Sequence, residues 1–356
     1  MSITKLVRPE LQAMHAYDAA EQVENSIRLN ANESPRRSTT GHFRRPLNRY
    51  PEVRPQKLQA ALADRFGCRA DQLLVTRGSS EAIDLVIRTF CRAGEDSVLV
   101  TSPSFSMYRH YAEVQGAELI EVKTLPERDF AIDVDAILGA CQASTRLIFI
   151  CSPNNPTGTV LARDELERLL IARSDVSAIV VDEAYIEFGD KPSATALLDR
   201  YRNLLVLRTL SKALGFAGAR CGAVAGPAEV IRILSAVQAP YALATPVVEC
   251  VEDALQDEQL ALAEQAVLDT VAERERLAVA LTNYDFVRKI WPSEANFLLV
   301  RFDDAAGVMQ RCQEHNVLLR HFGGALDECI RISVGSREEN NQLLRALDTL
   351  KGINNG

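Results

Sequence analysis

The chain has 356 residues, 40 Lys and Arg against 48 Asp and Glu, and a formal net charge of −8. That balance argues against nucleic acid as a partner, because an acidic surface repels polyanions unless positive charge is concentrated in one place. With 47% hydrophobic and 25% charged residues the composition is that of a globular protein, and the length suits two domains around a large core.

The opening residues, MSITKLVRPELQAM, lack the apolar stretch of a secretory signal. No window approaches the roughly 18 apolar residues of a membrane span. Eight cysteines, at 68, 91, 141, 151, 221, 250, 312 and 329, form no CxxC pair. Five histidines, at 15, 42, 110, 315 and 321, show no HxH or HExxH spacing. Reduced thiols, a cytoplasmic location, no membrane association and no metal site are the expectation. Neither GxxxxGK[ST] nor GxGxxG occurs, so the usual nucleotide loops are missing.

Residues 1–30 are polar and read as an arm or an early helix. The Pro-, Arg- and Ser-rich stretch from Ser34 to Pro55 reads as an irregular loop. A helix follows over Gln56–Arg65. Short apolar runs then predict strands at Leu73–Thr76, Ser97–Thr101, Glu118–Val122, Leu147–Cys151, Ala178–Val181, Leu204–Leu207 and Ala223–Ala225. Amphipathic stretches such as Glu81–Cys91 and Asp164–Ala172 lie between them. This alternation predicts an α/β fold: a mostly parallel sheet with helices on both faces, three layers in all. Past Pro240 the character changes, with a candidate boundary at 241–246. One extended helix is predicted over about 249 to 282. A strand at Asn296–Phe302, a helix at Asp304–His315, strands at Val317–Arg320 and Cys329–Val334, and a helix at Arg337–Leu350 complete a smaller α+β unit.

Four features stand at predicted strand ends, where open α/β sheets bind ligands. Lys212 follows an apolar strand and Ser211; in a cleft, desolvation and nearby cations would lower its pKa and leave an amine able to form a Schiff base. Asp182 ends the apolar run IVVD (179–182), where a carboxylate needs a partner such as a protonated pyridine nitrogen. The turn SPNNPTG (152–158) can aim the amide of Asn154 or Asn155 at a ligand. RGSSE (77–81) joins a strand to a helix, and its Gly and Ser residues can cup a phosphate at the helix N-terminus. Arg220 could add a cation to that phosphate. Taken singly, each has an ordinary structural explanation: a solvated lysine, a helix cap, a bare turn, a surface arginine.

Their order and spacing together are more specific. NNPTG, VDEAY and T-x-SK-x5-G-x-R (Thr209 to Arg220) resemble the fold-type I pyridoxal-5'-phosphate aminotransferases, the aspartate aminotransferase superfamily, over nearly the whole chain from Leu29 to Leu350. The resemblance implies that Lys212 is the Schiff-base lysine that also shuttles a proton. It implies that Asp182 pairs with the pyridine nitrogen, and that Asn155 and Tyr185 bond the ring oxygen. Ser79, Ser80, Ser211 and Arg220 would bind the cofactor phosphate, and Tyr108, in PSFSMY (103–108), would stack on the ring. The implied division is an arm over 1–30 that joins the small domain, a large pyridoxal-phosphate domain over 31–240, and a small domain over 241–356.

Three further strings, LNANESP (29–35), NRYPE (48–52) and RISVGSR (331–337), are similar to the histidinol-phosphate aminotransferases of histidine biosynthesis. That likeness implies a cytoplasmic homodimer with shared active sites, moving an amino group between glutamate or 2-oxoglutarate and imidazole acetol phosphate or histidinol phosphate. Such a site must accept phosphate and carboxylate alike, which bidentate arginines do well. Arg331 and Arg320 match the anion-binding arginines, and Tyr17, Asn32 and Tyr50 match substrate contacts, Tyr50 reaching in from the partner subunit. Ser80 stands where many relatives carry an acidic residue, and the 321–330 loop with Gly323 and Gly324 is short. Competing readings are an aromatic-amino-acid aminotransferase, a threonine-phosphate decarboxylase-like enzyme, a non-catalytic binding or regulatory protein on the same fold, and a nicotinamide dehydrogenase. Loss of the GxGxxG loop argues against the last of these, and the intact lysine, aspartate and asparagine set against the non-catalytic protein.

Overall fold

The structure, a computed structural model, describes residues 3–15, 30–31, 33–34 and 43–350. Seven short strands form one sheet: β1 (Leu73–Thr76), β2 (Ser97–Ser102), β3 (Glu118–Lys123), β4 (Thr145–Cys151), β5 (Ala178–Asp182), β6 (Leu204–Thr209) and β7 (Gly222–Ala225). Their order is β1-β7-β6-β5-β4-β2-β3. Only β7 runs against the rest, antiparallel to both β1 and β6. The near-continuous apolar runs have their cause here, since both faces of β4, β5 and β6 are covered.

The helices before the second sheet are α1 (Pro9–Gln12), α2 (Gln56–Arg65), α3 (Gly78–Phe90), α4 (Met107–Gln115), α5 (Val134–Ala140), α6 (Arg163–Ala172), α7 (Ala228–Val237) and α8 (Thr245–Ala254). Strand alternation divides the core in two. Leu147, Phe149, Ala178, Val180, Leu205 and Leu207 pack against α3, α4 and α7. Ile148, Ile150, Ile179, Val181, Leu204 and Val206 pack against α2, α5, α6 and α8. Asp182 shares the parity of Ala178 and Val180, so it faces the α3–α4 layer. Each fully buried leucine or isoleucine contributes about 1.5–3 kcal/mol, and both layers are built from them.

After α9 (Asp257–Leu281) a second sheet contains β8 (Val287–Ile290), β9 (Phe297–Phe302), β10 (Arg320–His321) and β11 (Cys329–Ser333), with α10 (Ala305–Glu314) and α11 (Arg337–Asp348). The order is β10-β11-β9-β8, antiparallel throughout. One face (Leu298, Val300, Ile330, Ile332) packs on α9, α10 and α11. The other presents Phe297 to Tyr185 and Leu299 to Phe130 and Trp291, which joins the second sheet to the first unit.

Four details differ from the sequence expectations. The single helix over about 249–282 is two helices, because α8 buries Val248 and Val251 in the first core while α9 buries Leu277 and Leu281 in the second. The chain turns between them at Leu255 and Gln256, Gln256 having extended backbone. The proposed boundary at 241–246 therefore lies inside the packing of the first unit, with Leu243 buried there too. The described start of the arm joins the first unit rather than the second: Ile3, Leu6 and Val7 are buried with α3 and α7. The strand predicted at Val317–Arg320 shrinks to Arg320–His321, because only Ile330 and Arg331 are paired with β10 and Asn316 turns the chain at φ 58°.

Candidate active site

The C-terminal ends of β4, β5 and β6 bring together the residues that the motifs singled out. Asp182 is 2% exposed. Its Oδ2 accepts a hydrogen bond from the Tyr108 hydroxyl at 2.8 Å, and its Oδ1 accepts from the Ala184 N–H at 3.1 Å. Burial pushes the carboxyl up to about 6, against the lowering pull of those two donors and of Lys212. Lys212 is half-buried, with Nζ 5.6 Å from the centre of the Tyr185 ring. Burial first, then the Arg331 and Arg220 charges, depress its pKa, with Asp182 opposing. Such an amine is neutral, and so nucleophilic and basic, over a wider pH range than an exposed lysine.

The SPNNPTG turn settles which asparagine is free to act. Asn154 is consumed by the turn: its amide donates to Thr157 Oγ1 at 2.8 Å and Pro103 O at 3.0 Å, and its carbonyl accepts from Ser104 Oγ at 2.9 Å. Asn155 instead meets Arg331, whose Nη1 donates to Asn155 Oδ1 at 2.6 Å. Arg331 arrives on β11, on the same face as Cys329, so this bond spans the two sheets. A second link is the Glu294 N–H to Gly158 O at 3.0 Å.

The segment expected to cup a phosphate is built from close backbone approach. Gly78 opens α3 at φ 75°, and a Cβ on it would lie 2.8 Å from Arg220 Nη2. A Cβ on Gly222 would meet Arg208 O at 2.7 Å and Gly78 Cα at 2.9 Å. Arg220 itself has φ 55°, a left-handed turn that holds its guanidinium against Gly78, with Nη1 3.4 Å from Ser211 Oγ. Ser79 and Ser80 sit in the first turn of α3, where free N–H groups and the helix dipole favour an anion.

These groups fit pyridoxal phosphate. The half-buried amine, the buried acid with its raised pKa, and the Gly78–Arg220 cradle supply the three contacts that a carbonyl, a basic ring nitrogen and a phosphate require. Tyr185, 7% exposed, lies edge-on to Phe297 at 5.2 Å.

Tyr108 departs from its implied role. It is 1% exposed, stacks on Phe149 with centroids 4.9 Å apart, and spends its hydroxyl on Asp182. A side chain so enclosed holds the acid rather than offering a ring face. Phe105, three residues earlier and half-buried, lies edge-on to it at 5.7 Å. Phe105 stands outside the residues that the motifs singled out, although its place just before α4 is a signal that the sequence carries.

Arg320 stands directly opposite Arg331 in the β10–β11 register and is exposed. Tyr50, 50% exposed, stacks on Tyr241 at 4.7 Å and donates its N–H to Glu33 at 2.8 Å. Tyr17 and Asn32 fall outside the described residues. Among the described residues no group of His, Cys, Asp and Glu is arranged to hold a metal, and no helix is long and apolar enough to cross a membrane.

A lysine and a buried aspartate thus lie at adjacent strand ends of a seven-stranded, mostly parallel sheet, beside the close approach of Gly78 and Arg220. The chain belongs to the class I and II aminotransferase family, whose model matches residues 21–347. It is 42% identical to the histidinol-phosphate aminotransferase of Xanthomonas axonopodis pv. citri, covering 97% of each chain. It is also 42% identical to that of Xylella fastidiosa, over 99% of this chain and 98% of the other. Among solved structures it resembles a Thermus thermophilus aspartate aminotransferase mutant (TM-score 0.73, 25% identity, 85% of this chain and 88% of that one). The histidinol-phosphate aminotransferase of Sinorhizobium meliloti in complex with pyridoxal-5'-phosphate shares the fold (TM-score 0.76, 23% identity, 85% and 84% of the chains).

Proposed function

We propose that the protein is a pyridoxal-phosphate-dependent histidinol-phosphate aminotransferase. It moves an amino group between histidinol phosphate and 2-oxoglutarate, returning imidazole acetol phosphate and glutamate. The observation that carries the substrate reading is Arg331, a half-buried guanidinium bonded to Asn155 beside the Lys212 amine. Near-full-length identity to enzymes of that name supports it.

Bound pyridoxal phosphate supplies a carbonyl that takes an amine and a cationic ring that accepts the electron pair left when a Cα proton departs. The protein does the rest. Ser79, Ser80, Ser211, Arg220 and the α3 N-terminus hold the phosphate. The Asp182 carboxylate holds the proton on the ring nitrogen. Asn155 and Tyr185 donate to the ring oxygen, and Phe105 takes over the stacking role first assigned to Tyr108. Lys212 Nζ removes the substrate Cα proton and returns it on the cofactor side. Arg331 and Arg320 hold the substrate's phosphate or carboxylate. The enzyme works as a cytoplasmic homodimer, Tyr50 completing the partner's site, with Tyr17 and Asn32 as further substrate contacts by resemblance.

The test is a steady-state assay of glutamate formation from 2-oxoglutarate with histidinol phosphate, phenylalanine and threonine phosphate offered in turn. Histidinol phosphate is expected to give the largest kcat/KM. A larger value for phenylalanine would replace this reading with an aromatic-amino-acid aminotransferase.

A further inference from the structure

Arg320 and Arg331 pose a problem that the anion-binding role does not answer. They face each other across β10 and β11. Like charges in that position destabilise a sheet. No carboxylate among the described residues lies within ion-pair distance of either, unlike Arg208 or Arg288, which pair with Glu187 and Asp303. Arg331 Nε is buried without a hydrogen-bond partner. Something other than an acid must hold the pair together.

Phe322 is placed to do so. The Arg320 guanidinium lies 5.5 Å from its ring centre and the Arg331 guanidinium 5.7 Å. Both fall within the roughly 6 Å over which an aromatic face attracts a cation. Arg331 has a second ring, Phe297, at 5.3 Å, and the Asn155 bond besides. Arg320 has neither, and among the described residues Phe322 is its anchor. Phe322 is in turn fixed by packing against the cluster of Phe130, Trp291, Leu299, Leu326 and Cys329. A single aromatic ring therefore ties an exposed, weakly held arginine to a half-buried, firmly held one.

We propose that Phe322 is a positioning residue that keeps Arg320 beside Arg331, and that the resulting two-cation clamp selects a dianionic phosphate over a single carboxylate. A phosphate dianion can engage two guanidinium forks, whereas one carboxylate is satisfied by one. Without the ring, Arg320 is repelled into solvent and Arg331 is left as the one strong contact. Affinity for phosphate falls and affinity for carboxylate falls less. The substrate side of this proposal rests on the reading of the site given above; the phosphate preference does not.

The experiment measures inorganic phosphate as a competitive inhibitor of the glutamate half-reaction, in the loaded wild-type enzyme and in Phe322→Leu, Phe322→Tyr, Arg320→Gln and the Phe322→Leu/Arg320→Gln double variant. Phe322→Leu is expected to weaken phosphate about tenfold, the scale of one cation–π contact, with a smaller rise in KM for glutamate and kcat unchanged. Phe322→Tyr keeps the aromatic face and should match wild type. If Phe322 acts through Arg320, the double variant is no worse than Arg320→Gln alone. Equal phosphate inhibition of wild type and Phe322→Leu, additive losses in the double variant, or a wild type indifferent to phosphate would each overturn the proposal. Should Phe322→Leu fail to fold, the comparison of Arg320→Gln with wild type and Phe322→Tyr still decides it: unchanged phosphate affinity in Arg320→Gln contradicts a two-cation clamp. A wild type that binds phosphate in this way but does not turn over histidinol phosphate would leave the clamp standing and refute the substrate reading.

Discussion

Tyr108 donates its hydroxyl to Asp182 at 2.8 Å, with its own ring stacked on Phe149 behind it. A buried carboxylate with two donors is held in one orientation and partly relieved of its desolvation cost. Removing one donor leaves the acid less able to stay charged. Tyr108→Phe should weaken pyridoxal-phosphate binding by about 10- to 100-fold, the range for a hydrogen bond to a charged group. Fluorescence titration of cofactor into cofactor-free protein measures this. Unchanged affinity would show that Tyr108 only fills space.

The same carboxyl sets a pH dependence of definite sign. Burial raises Asp182 to about 6 in the folded protein. The ordinary value is about 4, so the folded protein holds a proton that the unfolded chain would release. The cofactor-free protein thus gains stability from this group as pH falls from above 6 toward 4, and loses it as pH rises through 6. Cofactor affinity runs the other way. It falls as pH drops through about 6, because a neutral acid cannot pair with a cationic ring nitrogen. Affinity measured across that range should show the decline, and Asp182→Asn should bind weakly at every pH.

Gly222 lies against Gly78 with no room for a side chain. Its added Cβ would press on backbone atoms of Arg208 and Gly78. Gly222→Ala is expected to cost about 1–3 kcal/mol, the usual penalty for overpacking, and to weaken cofactor binding because Gly78 must shift. Thermal melting with and without pyridoxal phosphate checks both effects. A wild-type melting temperature together with wild-type affinity would be inconsistent with the close approach.

Lys212 owes part of its depressed pKa to Arg331. Arg331→Leu should therefore raise it toward the ordinary lysine value. Uptake of pyridoxal phosphate by cofactor-free protein requires the neutral amine, so the pH profile of the uptake rate should move to higher pH in this variant. A profile that stays in place would mean that burial alone tunes the lysine.

The strands that carry the site were legible because β4, β5 and β6 are buried on both faces and read as plain apolar runs. Lys212, Asp182 and Asn155 stood out because polar groups at the ends of such runs are costly unless used. Tertiary choices were not legible. The helix break at Leu255 carries no glycine or proline; it exists because Val248 and Leu277 belong to different cores. The short β10 follows from the turn at Asn316 and from pairing with only Ile330 and Arg331 of β11, neither of which the apolar run Val317–Leu319 announces. β8, with only half-buried and exposed residues, gave no strand signal. Tyr108 and Phe105 are both aromatic and one turn apart, and only packing shows which is enclosed. Phe322 sat in a glycine-containing loop, where sequence offers no way to see two guanidinium groups meeting on its ring.

The visible spectrum of the pyridoxal-phosphate-loaded protein on adding histidinol phosphate alone reports the first half of the transfer. The cofactor band of the wild type should convert to that of the pyridoxamine form in a single turnover and return on adding 2-oxoglutarate, while Lys212→Ala should show no conversion. A wild-type spectrum unmoved by histidinol phosphate, in protein that responds to glutamate, would rule out histidinol phosphate as the amino donor.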